Sequence, residues 1–135
     1  MGPTPQQPLQ DSDTTRCIKN CLSCHRVCME TLHYIHGQKA THFQGRLLSM
    51  LEVCVDVCDL SAQMMIADLP FHHQSCELCY EVCQACAEEL EKFELDADIL
   101  RCADACRKCA ESCKGMAGMT VKMRPSQVFE SRASM

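Results

Sequence analysis

From Cys17 to Met116, the positions that a helix turns toward its core step by three and four residues in strict alternation within each of four segments. The first segment gives Cys17, Cys21, Cys24 and Cys28, and the second gives Leu47, Leu51, Cys54, Cys58, Ser61 and Met65. The third gives His72, Cys76, Cys79, Cys83, Cys86, Leu90 and Phe93, and the fourth gives Ile99, Cys102, Cys106, Cys109, Cys113 and Met116. A repeat of this kind is the a/d seam of packed helices. No stretch keeps the two-residue alternation of a strand between turn signals.

Punctuation sets the boundaries of these elements. Asp13 or Thr14 can cap a first helix that runs to about Gly37, and a second runs from about Thr41 to Leu69 and stops at Pro70. The third runs from Pro70 to about Phe93. Asp96 can cap a fourth, which ends near Gly115 to Gly118. Residues 1–13, with three of the chain's five prolines, and the polar residues 119–135 read as disordered or mobile tails around a domain at 14–118. Short connections make neighbours antiparallel, so the expected fold is all-α, an up-down-up-down four-helix bundle with a cysteine-lined core.

Folding the seams at these turns aligns them in layers roughly 5 Å apart. The layers read Cys17, Ser61, Cys76, Cys113; then Cys21, Cys58, Cys79, Cys109; then Cys24, Cys54, Cys83, Cys106; then Cys28, Leu51, Cys86, Cys102. All fourteen cysteines of the 135-residue chain fall on a seam, which predicts a tube of sulfur. Leu32, Leu47, Leu90 and Ile99 plug one end, and Met65, His72 or His73, and Met116 stand at the other.

Composition narrows what such a tube is for. The chain start has no basic and apolar leader and no twin arginine, and Gln6 stands where myristoylation wants Ser or Thr. A cytosolic, soluble protein with reduced thiols is expected. A net charge of -5, no Trp and few other aromatics argue against a nucleic-acid partner, and no segment approaches the length of a membrane span. The acidic run at 88–98 reads as a solvated helix end followed by acids that favour the next helix start.

Cysteine as a plain small hydrophobe does not account for the seams, because each large-to-small change in a core costs roughly 1 kcal/mol or more. Disulfides within one helix are strained: side chains at i,i+3 and i,i+4 have Cβ atoms about 5–6 Å apart against the roughly 3.5–4.5 Å wanted. Zinc prefers isolated tetrahedral sets, and three or so would fit the layers with thiols left over. Iron–sulfur clusters prefer loop-borne spacings that are missing here. Cu(I) is soft, selects thiolate and thioether, and at about one ion per bridging thiolate leaves the tube close to neutral.

The repeated C-x3-C-x2-C-x3-C face, seen in "CIKNCLSCHRVC", "CELCYEVCQAC" and "CADACRKCAESC", resembles that of the bacterial copper storage proteins, especially their cytosolic branch, over about Thr14 to Gly118. The resemblance implies a homotetramer of bundles whose seam cysteines hold many Cu(I) ions loaded through one open end. On this sequence those ligands are Cys17, Cys21, Cys24, Cys28, Cys54, Cys58, Cys76, Cys79, Cys83, Cys86, Cys102, Cys106, Cys109 and Cys113. Helix 2 is thinner in thiols than the other three helices, with Leu51 and Ser61 at two seam places.

The flanking residues carry two readings each. Met65, Met116, Met119 and Met123 extend the cysteine faces toward one end, either to pass ions inward or to fill gaps. His72 or His73 is a candidate mouth ligand or an exposed pair at a helix start, and His25 is a peripheral ligand or a capping residue. His33, His36 and His42 read as surface residues. A second apolar stripe on helix 2, Met50, Val53, Val57, Leu60 and Met64, is a candidate subunit interface or packs on a neighbouring helix. No nucleophile–base arrangement stands out, so the expected function is non-catalytic Cu(I) storage, with a copper chaperone or a small thiol as exchange partner. The alternatives are an iron–sulfur or thiol-redox protein, or storage of zinc or another soft metal.

Overall fold

The computed structural model describes residues 7–38 and 45–118, with side chains from Asp13 onward. Four helices follow one another: α1 (Gln7–Gln38), α2 (Gly45–Ile66), α3 (His72–Leu90) and α4 (Ala97–Met116). Expectations placed on Thr41, His42, Met119, Met123 and the terminal segments 1–6 and 119–135 lie outside the described residues.

Each helix packs on two others, α1 and α3 both against α2 and α4, which makes a square. Sulfur contacts give the directions. Cys54 meets Cys83 while Cys58 meets Cys79, and Cys21 meets Cys109 while Cys28 meets Cys102, so both pairs of helices run antiparallel. The architecture is the expected all-α up-down-up-down bundle. Ala62, Ala87, Ala103 and Ala110 are buried beside the seams, where small side chains let the helices approach.

Helix boundaries differ from the sequence reading in four places, the simplest being the third helix, which stops at Leu90 and not at Phe93. The first helix begins at Gln7 and not near Thr14, with Pro8 in its first turn, where a missing N–H breaks no helical bond. The second ends at Ile66, short of Pro70. Asp68 takes φ 55°, Leu69 N–H donates to Met64 O at 3.0 Å and Asp68 N–H donates to Met65 O at 3.0 Å. This is a Schellman stop with an aspartate in the left-handed position that glycine usually fills. The third starts at His72, after Pro70 and a Phe71 that makes no side-chain cap.

The fourth helix starts as its capping residue predicts. Asp96 Oδ1 accepts from Asp98 N–H at 3.1 Å and Ile99 N–H at 3.2 Å, and Tyr34 Oη donates to Asp96 Oδ2 at 3.1 Å. The cap of α4 is thereby tied to α1. Arg107 braces α3 against α4 through a fork on Glu91, at 2.8 and 2.9 Å, and a 2.9 Å bond to Gln84. At the same end Leu47, Leu90 and Ile99 are buried and Leu32 is half-buried, which closes the tube.

The second stripe on α2 divides. Val57 is buried, Met50 and Met64 are half-buried, and Val53 (51%) and Leu60 (43%) stay exposed. Part of it therefore packs inside the bundle and part faces outward.

Replacing Asp96 with Ala removes both the cap and the Tyr34 contact and is expected to lower the stability of the metal-free, reduced protein by about 1 kcal/mol. Asp96→Asn should retain most of the cap. Urea unfolding followed by helical circular dichroism compares the two.

Candidate metal centre

Every cysteine seam position points inward: all fourteen cysteines are free, and each has no solvent exposure. The reason is local. In each helix the cysteine steps fall on one face, and the opposite faces carry residues such as Lys19, Glu52, Glu81 and Lys108 that stay hydrated.

The predicted layers form, and they are stitched together vertically. Within the second layer Cys21–Cys109 is 3.7 Å, Cys58–Cys79 3.7 Å, Cys79–Cys109 3.7 Å and Cys58–Cys109 3.8 Å. Within the third, Cys24–Cys106 is 3.8 Å, Cys24–Cys54 4.0 Å and Cys54–Cys83 3.7 Å. Between layers, Cys21–Cys113 is 3.6 Å, Cys58–Cys83 3.7 Å and Cys28–Cys106 3.9 Å.

Four groups of sulfurs lie within 4.8 Å of one another: Cys17, Cys76, Cys113; Cys21, Cys79, Cys109, Cys113; Cys24, Cys58, Cys83, Cys109; and Cys24, Cys28, Cys54, Cys106. Each four-sulfur group takes members from two predicted layers. Neighbouring groups share Cys113, Cys109 and Cys24. These sets cannot all be separate tetrahedral sites, because an isolated site needs four thiolates of its own. A net with shared corners suits ions of low coordination number bridged by common thiolates.

Proton sharing in the net follows the same contacts. Hydrogen bonds from Cys106 and Cys24 hold the Cys54 thiol far below its ordinary value, while Cys109, Cys24 and Cys54 hold Cys58 far above it. Cys102 is lowered to about 5 by Cys106 and Cys28 against the opposing effect of burial. Cys113 pulls Cys76 down, but Cys17 and burial outweigh it and raise that thiol to about 12. Each thiol's tendency to ionise is thus set by its sulfur neighbours, while burial opposes the charge throughout.

At the open end Met65 is buried, Met116 and His72 are half-buried, and His73 is exposed. Because a carbonyl only accepts, His73 Nδ1–H donates to Met116 O at 3.1 Å, which pins the histidine to the end of α4. The two imidazoles sit with ring centres 4.3 Å apart. Burial and the neighbouring His73 lower the pKa of His72, whose buried Nδ1 has no hydrogen-bond partner. His25 stands apart from the mouth. Its Nδ1–H donates to Val55 O at 2.9 Å and ties α1 to α2 outside the tube. His33 and His36 are exposed.

Besides Ser61 of the first layer, hydroxyls that sequence reasoning did not assign stand beside the thiols: those of Ser75, Ser112 and Thr31. Ser61 donates to Ser75 at 3.2 Å and to Cys76 at 3.9 Å, and Ser112 and Thr31, whose hydroxyls donate to the Cys109 and Val27 carbonyls, favour ionisation of Cys17 and Cys102. The signal was present in their spacing: Ser75 precedes Cys76, Ser112 precedes Cys113, and Thr31 follows Cys28 by three.

A bundle whose axis is a continuous net of buried free thiols, with soft and imidazole donors at one end, belongs to the class of thiolate metal-holding proteins. The family model for copper storage proteins matches residues 10–118, and the chain is a member of that family. A cysteine-rich protein of Bacillus subtilis, YhjQ, is 33% identical over 101 residues, 75% of this chain and 93% of the relative. The metal-free structure of copper storage protein 3 from Bacillus subtilis is 33% identical, with a TM-score of 0.70 over 77% of this chain and 98% of its own. The Cu(I)-bound copper storage protein BsCsp3 is 30% identical, with a TM-score of 0.74 over 78% of this chain and 98% of its own.

Proposed function

We propose that this protein stores Cu(I), with all fourteen seam cysteines as its ligands. The observation that carries this reading is the shared-corner net, in which Cys24, Cys109 and Cys113 each belong to two sulfur sets. With a metal–sulfur bond of about 2.3 Å, three sulfurs around one ion would be about 4.0 Å apart and two in line about 4.6 Å. The contacts of 3.6–4.0 Å lie close to the first spacing, so three-coordinate ions need little movement and two-coordinate ions need a modest expansion. A Cu(I) ion on each bridging thiolate cancels its charge, which limits the cost of burying many ions together.

The role is holding and buffering, with no catalysis: no thiol is exposed as an oxidoreductase nucleophile would be. This reading places the protein in the cytosol, where thiols stay reduced. Among the described residues no helix is long and apolar enough to cross a membrane. Met65, Met116, His72 and His73 serve as mouth ligands that hand ions inward, in exchange with a copper chaperone or a small thiol. His25 remains a peripheral candidate through its Nε2 only, since Nδ1 is engaged. A homotetramer is the assembly that the family resemblance implies, and the outward Val53 and Leu60 on α2 support that face as an interface.

Anaerobic titration of the fully reduced protein with Cu(I) against a competing chelator tests the reading. A count of tightly bound ions close to the number of cysteines is expected, and saturation after one or two would reject storage. Loading displaces protons from thiols such as Cys58, whose pKa is raised, so protons and ions compete. Apparent affinity should therefore fall as pH falls, by up to about tenfold per pH unit for each proton displaced. Replacing Val53 and Leu60 together with Glu should yield a smaller species by sedimentation with helicity unchanged. An unchanged sedimentation coefficient would move the interface elsewhere.

A further inference from the structure

The sulfur net does not reach equally far down the two sides of the tube. On the α1–α4 side it continues to the fourth layer, where Cys28 and Cys102 are 3.7 Å apart. On the α2–α3 side it stops at the third, with Cys54 and Cys83 in contact at 3.7 Å. One turn beyond Cys54 comes Leu51, and one turn beyond Cys83 comes Cys86, so the antiparallel register sets Leu51 opposite Cys86. Both side chains are fully buried.

Cys86 is consequently the odd thiol. Every other cysteine either belongs to one of the four sulfur sets or lies within 4.0 Å of another sulfur, as Cys102 does of Cys28. Cys86 belongs to none of those sets. The thiols that act on it, Cys106 and Cys54, already belong to a four-sulfur set with Cys24 and Cys28. An ion at Cys86 must take a sulfur from that set, use Cys83 one turn away, or share Cys102, which already contacts Cys28, and a leucine occupies the place from which a further thiolate would come.

We propose that Leu51 makes Cys86 the last thiol of the tube to take an ion, so that filling is ordered and the α2–α3 side of the fourth layer sets the upper limit of capacity. This rests on the Cu(I)-storage reading and adds to it which ligand is loaded last and released most readily. Cys86 would hold the weakest ion, the first one surrendered to a competing thiol or chelator.

Cu(I) competition isotherms on three variants of the whole chain test the order. Cys58 is the contrast, because its sulfur lies within 4.0 Å of Cys54, Cys79, Cys83 and Cys109 and its burial equals that of Cys86. Cys86→Ser is expected to leave the free Cu(I) concentration at half-loading within about twofold of the parent, whereas Cys58→Ser should raise it about tenfold. Leu51→Cys, which completes the fourth layer, should increase the saturating count by at least one ion. Circular dichroism of the metal-free variants confirms that they fold. If Cys86→Ser shifts half-loading as far as Cys58→Ser, or if Leu51→Cys adds no ion, the inference is wrong while storage stands. A parent chain that saturates at one or two ions overturns both.

Discussion

The sulfur–sulfur contact across the bundle axis is the interaction on which the other features depend. Thiols at 3.6–4.0 Å fix how close the four helices come, and that distance holds because every seam residue of the first three layers is small. Alanines beside the seams permit the same close approach. A thiol offers fewer packing atoms than leucine, so the metal-free core is held weakly along most of its length. The compensating contacts sit at the closed end, where Leu47, Leu90 and Ile99 are buried and the Tyr34–Asp96 bond joins α1 to the cap of α4. One end of the molecule holds the fold, while the rest of the axis is left to ligand chemistry.

That division explains why the donors are graded along the tube. Next to the leucine plug come layers in which sulfur is the only polar atom, apart from the Thr31 hydroxyl near Cys102. At the other end, hydroxyls of Ser61, Ser75 and Ser112 mix with Cys17, Cys76 and Cys113, and beyond them lie Met65, Met116 and the two histidines. Soft sulfur donors that can become anionic lie deep and neutral ones lie shallow. On the proposed reading, an ion that moves inward would exchange neutral donors for thiolates and gain charge neutralisation as it goes.

Substitutions at the seam act through the same geometry. Ser61 puts a hydroxyl at a seam place where the layer's other three members are thiols, and its bonds to Ser75 and Cys76 keep that polar atom satisfied within the core. Leu51 does the opposite: it fills the space of a ligand with hydrocarbon and adds to the plug. The two replacements both thin α2, yet one lies toward the open end and the other toward the closed end.

The sequence by itself determined the helix count, the antiparallel topology, the inward face of every cysteine and the pairing of layers, because a three-four alternation on four segments has one way to bury its seams. It also located the Asp96 cap, whose side chain acts on its own next turn. Only the tertiary structure decided how the sulfurs group. Layers counted along separate helices assume that rungs lie flat, but side chains lean along each helix axis, so the four-sulfur sets straddle two rungs and share corners. Position in space likewise separated His25, bonded to Val55 across α1 and α2, from His73, bonded to Met116 at the mouth. It also showed that Asp68 ends α2 before Pro70. These outcomes depend on which carbonyl or sulfur another helix presents, and spacing along one chain carries no record of that.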